Sequence, residues 1–253
     1  MQERLNIAIV VSGHLRLVPY GYHLIDKLSQ KLGFDYKIFN LHWDDNSDWS
    51  GQVPHGETKS ILNKSNVISQ ERFQPDIMEF LRKSFDEYGA VPPYQNLLNQ
   101  YYKLTPSDFS RYLGQVVGFL LALDQWQNDL KEFDMIIRCR WDIPPDWSVI
   151  KRIQDGDVSI DKTFITNAIY MREGEVELGG DLIYGRTVDW LECATPIGHA
   201  LEKLKAGCKK RFEIISQNPL YKGDPGNYAL AGHWFNSHFL WGTLFKDTRY
   251  RVD

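Results

Sequence analysis

The stretch Leu5-Asn6-Ile7-Ala8-Ile9-Val10-Val11-Ser12-Gly13 decides the fold. Its β-branched run is nearly continuous and breaks at Ser12-Gly13, so it reads as a strand buried on both faces that delivers a turn at its carboxyl end. Beyond it, Tyr22, Ile25, Leu28 and Leu32 recur at helical spacing and Gly33 supplies a stop, which predicts a helix. Residues 34–41 then read as a second strand ending in His42-Trp43-Asp44-Asp45. Strand, helix and strand in that order make a βαβ unit, and such a crossover implies a parallel sheet.

Working outward, residues 45–69 are polar, rich in Ser, Asn and Gly, and without periodicity, which predicts a surface loop. Residues 71–88 read as helical and stop at Val91-Pro92-Pro93-Tyr94. The strongest helix follows: Thr105 as N-cap, Pro106 at the first position, Asp108 in the first turn, and Phe109, Tyr112, Leu113, Val116, Val117, Leu120 and Leu121 on one face. It leads into another apolar strand, giving a second helix-to-parallel-strand step. Strands are expected near 163–170 and 176–184, a helix over about 188–205, a turn-rich stretch (Asn218-Pro219, Gly223-Asp224-Pro225-Gly226) and a last aromatic helix over about 228–241. The expected fold class is α/β: a single Rossmann-like domain with a mostly parallel central sheet flanked by helices. At 253 residues the chain is long enough for that core.

Composition narrows the functional classes. A net charge of −4 with scattered lysines gives no basic field, so nucleic acid is not an expected partner. Cys139, Cys193 and Cys208 lie far apart with no C-x-x-C, which argues for a reducing compartment and against a structural zinc or a disulfide frame. The opening residues lack a basic segment followed by an apolar one, and no window approaches a membrane span. The expectation is therefore a soluble, unprocessed, cytoplasmic protein (host cytoplasm if the chain is viral) with no transmembrane segment. Oligomeric state is open.

The chemistry concentrates in Asp134-Met135-Ile136-Ile137-Arg138-Cys139-Arg140-Trp141-Asp142-Ile143-Pro144-Pro145, an apolar strand running into two arginines and a carboxylate and stopped by two prolines. Guanidinium forks grip phosphate oxygens bidentately, and a neighbouring carboxylate can ligate a divalent ion bridging those oxygens. An ion pair on an ordinary strand end is the plain alternative. Ser12, Gly13 and Arg16 lie at the carboxyl end of the first strand, where open α/β sheets place nucleotides. Gly179-Gly180-Asp181 sets a carboxylate after a glycine pair, as where a ligand or another segment passes close to the backbone; a bulge with a solvated Asp is the alternative. His233, in Gly232-His233-Trp234-Phe235-Asn236-Ser237-His238, is a candidate metal ligand, with a packed or surface histidine as its alternative.

Together these segments resemble the GT-A type nucleotide-sugar glycosyltransferases, and among them the bacterial and viral relatives of the WavE-like lipopolysaccharide-synthesis enzymes. The likeness rests on Ile7-Ala8-Ile9-Val10-Val11-Ser12-Gly13-His14-Leu15-Arg16, Tyr36-Lys37-Ile38-Phe39-Asn40-Leu41-His42-Trp43-Asp44, Ile136-Ile137-Arg138-Cys139-Arg140-Trp141-Asp142 and Gly180-Asp181-Leu182-Ile183-Tyr184-Gly185-Arg186. It implies a GT-A domain whose first half, residues 1–145, holds a nucleotide diphosphate sugar and whose second half, residues 146–253, holds a glycan or lipid-linked saccharide acceptor. It implies a Mn²⁺ or Mg²⁺ ion, and hexosyl transfer from a donor such as a UDP-sugar. The family's metal motif is D-x-D; Arg140-Trp141-Asp142 stands there, so Asp142 would carry the coordination, with His233 beside it, and Arg140 would touch phosphate. Ser12, Gly13, Arg16, Arg138 and Gly180 would surround the donor, and Asp181 would be the catalytic group. Two other readings stand beside this one: a degenerate GT-A domain that binds nucleotide or glycan without turnover, and a sugar-phosphate nucleotidyltransferase.

Overall fold

The computed structural model describes residues 5–43, 55–72, 106–172, 175–217, 237–246 and 248–252. Strand β1 (Asn6–Gly13) sends Ile7, Ile9 and Val11 to one face and Ala8 and Val10 to the other, all buried. Helices cover both faces, which is why its sequence is a run rather than an alternation. Helix α1 (Val18–Leu32) begins with Pro19 in its first turn and ends at Gly33, whose φ of 71° lets its N–H reach the Ser29 carbonyl at 2.8 Å. Strand β2 (Asp35–Trp43) returns parallel to β1. The βαβ unit is as expected.

Helix α2 (His55–Leu62) and strand β3 (Val67–Arg72), parallel to β2, lie where a surface loop over 45–69 was expected. Val67 at this sheet edge buries one face only, so the strand is short and polar and carries little periodic signal. Helix α3 (Pro106–Gln125) and the short α4 (Gln127–Leu130) lead to β4 (Met135–Cys139), which pairs parallel with β1 on the side away from β2. Thr105 and the expected helix beyond residue 72 lie outside the described residues; residues 71 and 72 belong to β3.

After α5 (Trp147–Gln154), the two strands expected over 163–170 and 176–184 are four: β5 (Thr163–Thr166), β6 (Ile169–Arg172), β7 (Glu175–Leu178) and β8 (Ile183–Arg186). Among the described residues β6 and β7 pair only with each other, as a separate antiparallel ribbon. The expected helix over 188–205 is two helices, α6 (Thr187–Ala194) and α7 (Ile197–Gln217), because Pro196 supplies no N–H to continue the first. Helix α8 (Ser237–Leu244) and strand β9 (Arg249–Val252) complete the described chain; the part of the expected last helix before residue 237 lies outside it.

The main sheet has the order β3-β2-β1-β4-β8-β5-β9, so strands from both halves of the chain share it. Only β8 among them runs against the others. α1, α2 and α5 cover one face, and α3, α6, α7 and α8 cover the other, where Phe119, Phe164, Trp190, Trp241 and Phe245 interlock. The fold is α/β with a mostly parallel central sheet. No helix among the described residues is long and apolar enough to cross a membrane. The chain leaves β1 toward β2 on one side and reaches β4 on the other, so the strand order reverses between β1 and β4, and a crevice is expected at their carboxyl ends.

Candidate functional site

Four charged side chains meet at that end of the sheet, and the pairing of β4 with β8 explains why. Arg138 is level with Ile183 in an antiparallel ladder, so stepping two residues past Arg138 and two before Ile183 brings Arg140 opposite Asp181. The reversed strand thus starts where β4 ends. Beyond β4 the backbone folds into a turn closed by Ile143 N–H donating to the Arg140 carbonyl at 3.1 Å. That turn points Trp141 into the core, where its indole N–H donates to Asn40 Oδ1 at 2.9 Å, and leaves Arg140 and Asp142 side by side.

Arg140 forms a fork on Asp142, with Nε donating to Oδ1 at 2.9 Å and Nη2 to Oδ2 at 2.6 Å, while Nη1 donates to Asp181 Oδ1 at 3.2 Å. Burial alone would lower the Arg140 pKa, but hydrogen bonding and attraction from Asp142, then Asp181, outweigh it and hold the guanidinium above its ordinary value. Asp181 Oδ2 carries no hydrogen bond among the described residues.

Arg138 is in a different situation. The residue is 1% exposed, Nε and Nη1 have no hydrogen-bond partner among the described residues, and its guanidinium lies 4.9 Å from the centre of the Trp241 ring. Such a cation–π contact is worth about 0.5–2 kcal/mol, less than the several kcal/mol that burying an ion costs. The pKa is accordingly lowered to about 10, chiefly by desolvation, against the opposing pull of Asp181. Two buried donors on a charged group without acceptors mark a place for an acceptor oxygen.

Ser12 continues the same face of β1 as Val10, and its buried Oγ also lacks a partner among the described residues, as does Trp241 Nε1. Gly13 has φ 119°, a backbone angle that favours glycine. Arg16 is half-buried just beyond, its N–H bonded to the His14 carbonyl at 2.9 Å. The glycine pair does admit another segment: a Cβ on Gly180 would collide with the Trp241 ring, and one on Gly179 with Asn167. Gly180 therefore seats the indole that underlies Arg138.

The structure brings together Arg138, Arg140, Asp142, Gly180 and Asp181, with Ser12 and Gly13 at the neighbouring strand end. His233 lies outside the described residues; His238 stacks on Tyr170 at 5.5 Å between ring centres. Trp241 was not singled out from the sequence, since an indole in an aromatic helix reads as core; Asn40, which orients Trp141, was hidden inside a strand. Of the expected metal ligands, Asp142 with His233, only Asp142 lies among the described residues; there the Arg140 fork occupies its carboxylate, and no trio of His, Cys, Asp or Glu among the described residues could hold an ion. The described residues do not fit a divalent cation.

No family model and no curated protein matches the sequence. Among solved structures, the chain is similar to the crystal structure of a glycosyltransferase involved in the glycosylation of the major capsid of PBCV-1, with a TM-score of 0.32 and 9% identity over 98% of this chain and 80% of that one.

Proposed function

We propose that the chain is a glycosyltransferase moving a sugar, a hexose in our reading, from a nucleoside diphosphate sugar to a hydroxyl of a glycan or lipid-linked saccharide. The observation that carries this reading is Arg138: a buried cation with two N–H donors that have no partner among the described residues, at the point where the strand order reverses, beside Arg140 and the half-exposed Asp181 carboxylate that Arg140 holds. Departure of a nucleoside diphosphate leaves negative charge on phosphate oxygens, and preset donors in a water-poor pocket stabilise that charge most effectively. Arg138 and Ser12 would receive those oxygens, with Gly13 allowing close approach and Arg16 reaching the nucleotide.

Asp181 would face the transferred sugar. Its free Oδ2 would take the acceptor's proton in an inverting reaction or steady the oxocarbenium-like sugar in a retaining one. The anomeric form of the product distinguishes the two. Residues 146–253 would supply the acceptor side. No step in this scheme runs through a metal ion.

The test is calorimetry with UDP-, GDP-, CMP- and dTDP-sugars, followed by assay of nucleotide release with and without saccharide acceptors. Binding of a UDP-hexose together with release of UDP is expected. If none of these donors binds and none is turned over, the reading fails. Because Arg140 ties up both Asp142 and Asp181, a second reading has support: a domain that binds the nucleotide without turnover. Donor binding with neither hydrolysis nor transfer selects it.

A further inference from the structure

We propose that Arg140 stands in for a divalent cation, so that the site binds a diphosphate through guanidinium groups and without a metal ion. For the nucleotide this rests on the reading above; for the oxyanion it rests on the side chains alone.

Charge comes first. A divalent ion in a site with two carboxylates supplies two positive charges, and Arg138 and Arg140 already supply two beside Asp142 and Asp181. Arg140 is held by the two carboxylates while the Arg138 N–H groups have no partner among the described residues, so an incoming diphosphate oxygen meets an unspent cation there, whereas a metal ion would meet a second positive charge. Geometry points the same way. Arg140 bridges the two carboxylates as an ion would, using Nε, Nη1 and Nη2 for three of its N–H groups. A guanidinium has five such donors, so two remain for a ligand.

The neighbouring orphan groups have one chemistry. Arg138 Nε and Nη1 and Trp241 Nε1 are donors only, and Ser12 Oγ can donate; all are buried without partners among the described residues. Donor groups of this kind repel a cation and receive an oxyanion. They are also held rigidly, because Trp241, fully buried, fills the space left by the missing Cβ of Gly180. The donors are therefore set in place before the ligand arrives.

The experiment has two arms. In the first, inorganic pyrophosphate and UDP are titrated calorimetrically into the full chain, once with EDTA and once with Mn²⁺. Affinities equal to within about threefold in the two conditions are expected, and Arg138→Lys, which keeps charge but loses the fork, should weaken pyrophosphate about tenfold. In the second arm, electron paramagnetic resonance follows the free Mn²⁺ signal. The parent should leave it unchanged, while Arg140→Ala, which frees Asp142 and Asp181, should deplete it; Arg140→Gln replaces that variant if its melting temperature shows that it has not folded.

Ligand binding that collapses in EDTA overturns the proposal and leaves the glycosyltransferase reading standing. Pyrophosphate binding in EDTA without any nucleotide binding sustains the proposal and removes that reading. Binding of neither anion in either condition sinks both. A folded Arg140 variant that takes up no Mn²⁺, or a parent that does, overturns the stand-in role of Arg140.

Discussion

Arg138 and Arg140 stand two positions apart and point to the same end of the sheet, yet one spends its donors on carboxylates and the other keeps them. Asp181 is shared between their fields, so its substitution is best made without changing shape. Asp181→Asn retains an oxygen for Arg140 Nη1 and removes only the charge and the proton-accepting ability. The expected result is donor affinity close to the parent's and kcat lower by at least about a hundredfold, as for loss of a general base. Steady-state kinetics beside calorimetry checks both halves; near-parental kcat removes Asp181 from the chemistry. Cys139, between the arginines, turns to the opposite face, where desolvation first of all pushes its thiol up to about 12. It should resist iodoacetamide at pH 8 until the protein is denatured, as peptide mass spectrometry would read. Above its ordinary value of 9.0 an unfolded chain releases that proton while the fold keeps it, so the folded state binds more protons and this group makes stability fall as pH rises toward 12. Alternation along β4 makes it legible in the sequence that Arg138 and Cys139 face opposite sides. It does not show that α8 covers Arg138, because that depends on an indole about a hundred residues later in the chain.

Among elements, those buried on both faces were legible and those at edges were not. β1 and β4 announce themselves through Ile7–Val11 and Met135–Ile137 as unbroken apolar runs, and α1 through its spacing and Gly33. β3, with Ser69, Gln70 and Glu71, hides because an edge strand satisfies half of its backbone with water. The reversed direction of β8 has no local signature at all; it is set by which neighbour it finds, and it alone brings Asp181 to Arg140. Helix placement gives a test at this scale. α1 crosses the Arg140–Ile143 turn so closely at Gly21 that a Cβ there would meet the Trp141 carbonyl oxygen, which is backbone and cannot swing aside. Gly21→Ala should cost about 1–3 kcal/mol as α1 is pushed outward. Gly56 in α2 has open space, so Gly56→Ala should instead stabilise by about 0.5–1 kcal/mol. Urea unfolding of the two variants should move the midpoint in opposite directions; a harmless Gly21→Ala would mean that α1 is not pinned to the turn.

For the whole molecule, one continuous sheet joins the two sequence halves, so a ligand held at the ends of β1 and β4 should stabilise more than its own pocket. A ligand present at a hundred times its Kd and bound to the folded state alone adds about 2.7 kcal/mol. For a chain of this size, about 2–4 °C of melting temperature accompanies each kcal/mol, so a saturating UDP-sugar should raise Tm by roughly 5–10 °C. Thermal shift across a donor panel measures this, and a uniform null result across the panel counts against a nucleotide site. Function was legible only as far as the segregation of charge to strand ends. Pairwise detail, such as both carboxylates resting on one guanidinium, follows from distances that spacing along the chain does not encode.

The contact between Gly180 and Trp241 also constrains how the protein can change over generations. Any side chain at 180 runs into the indole, and loss of the indole strips Arg138 of the ring beneath it, so neither position can drift alone without harm. The pair should behave as one inherited character with strong non-additivity: Gly180→Ala should be deleterious beside Trp241 and close to neutral beside a smaller residue there. Relatives that lose the glycine are then expected to have lost the tryptophan first, and with it the buried arginine.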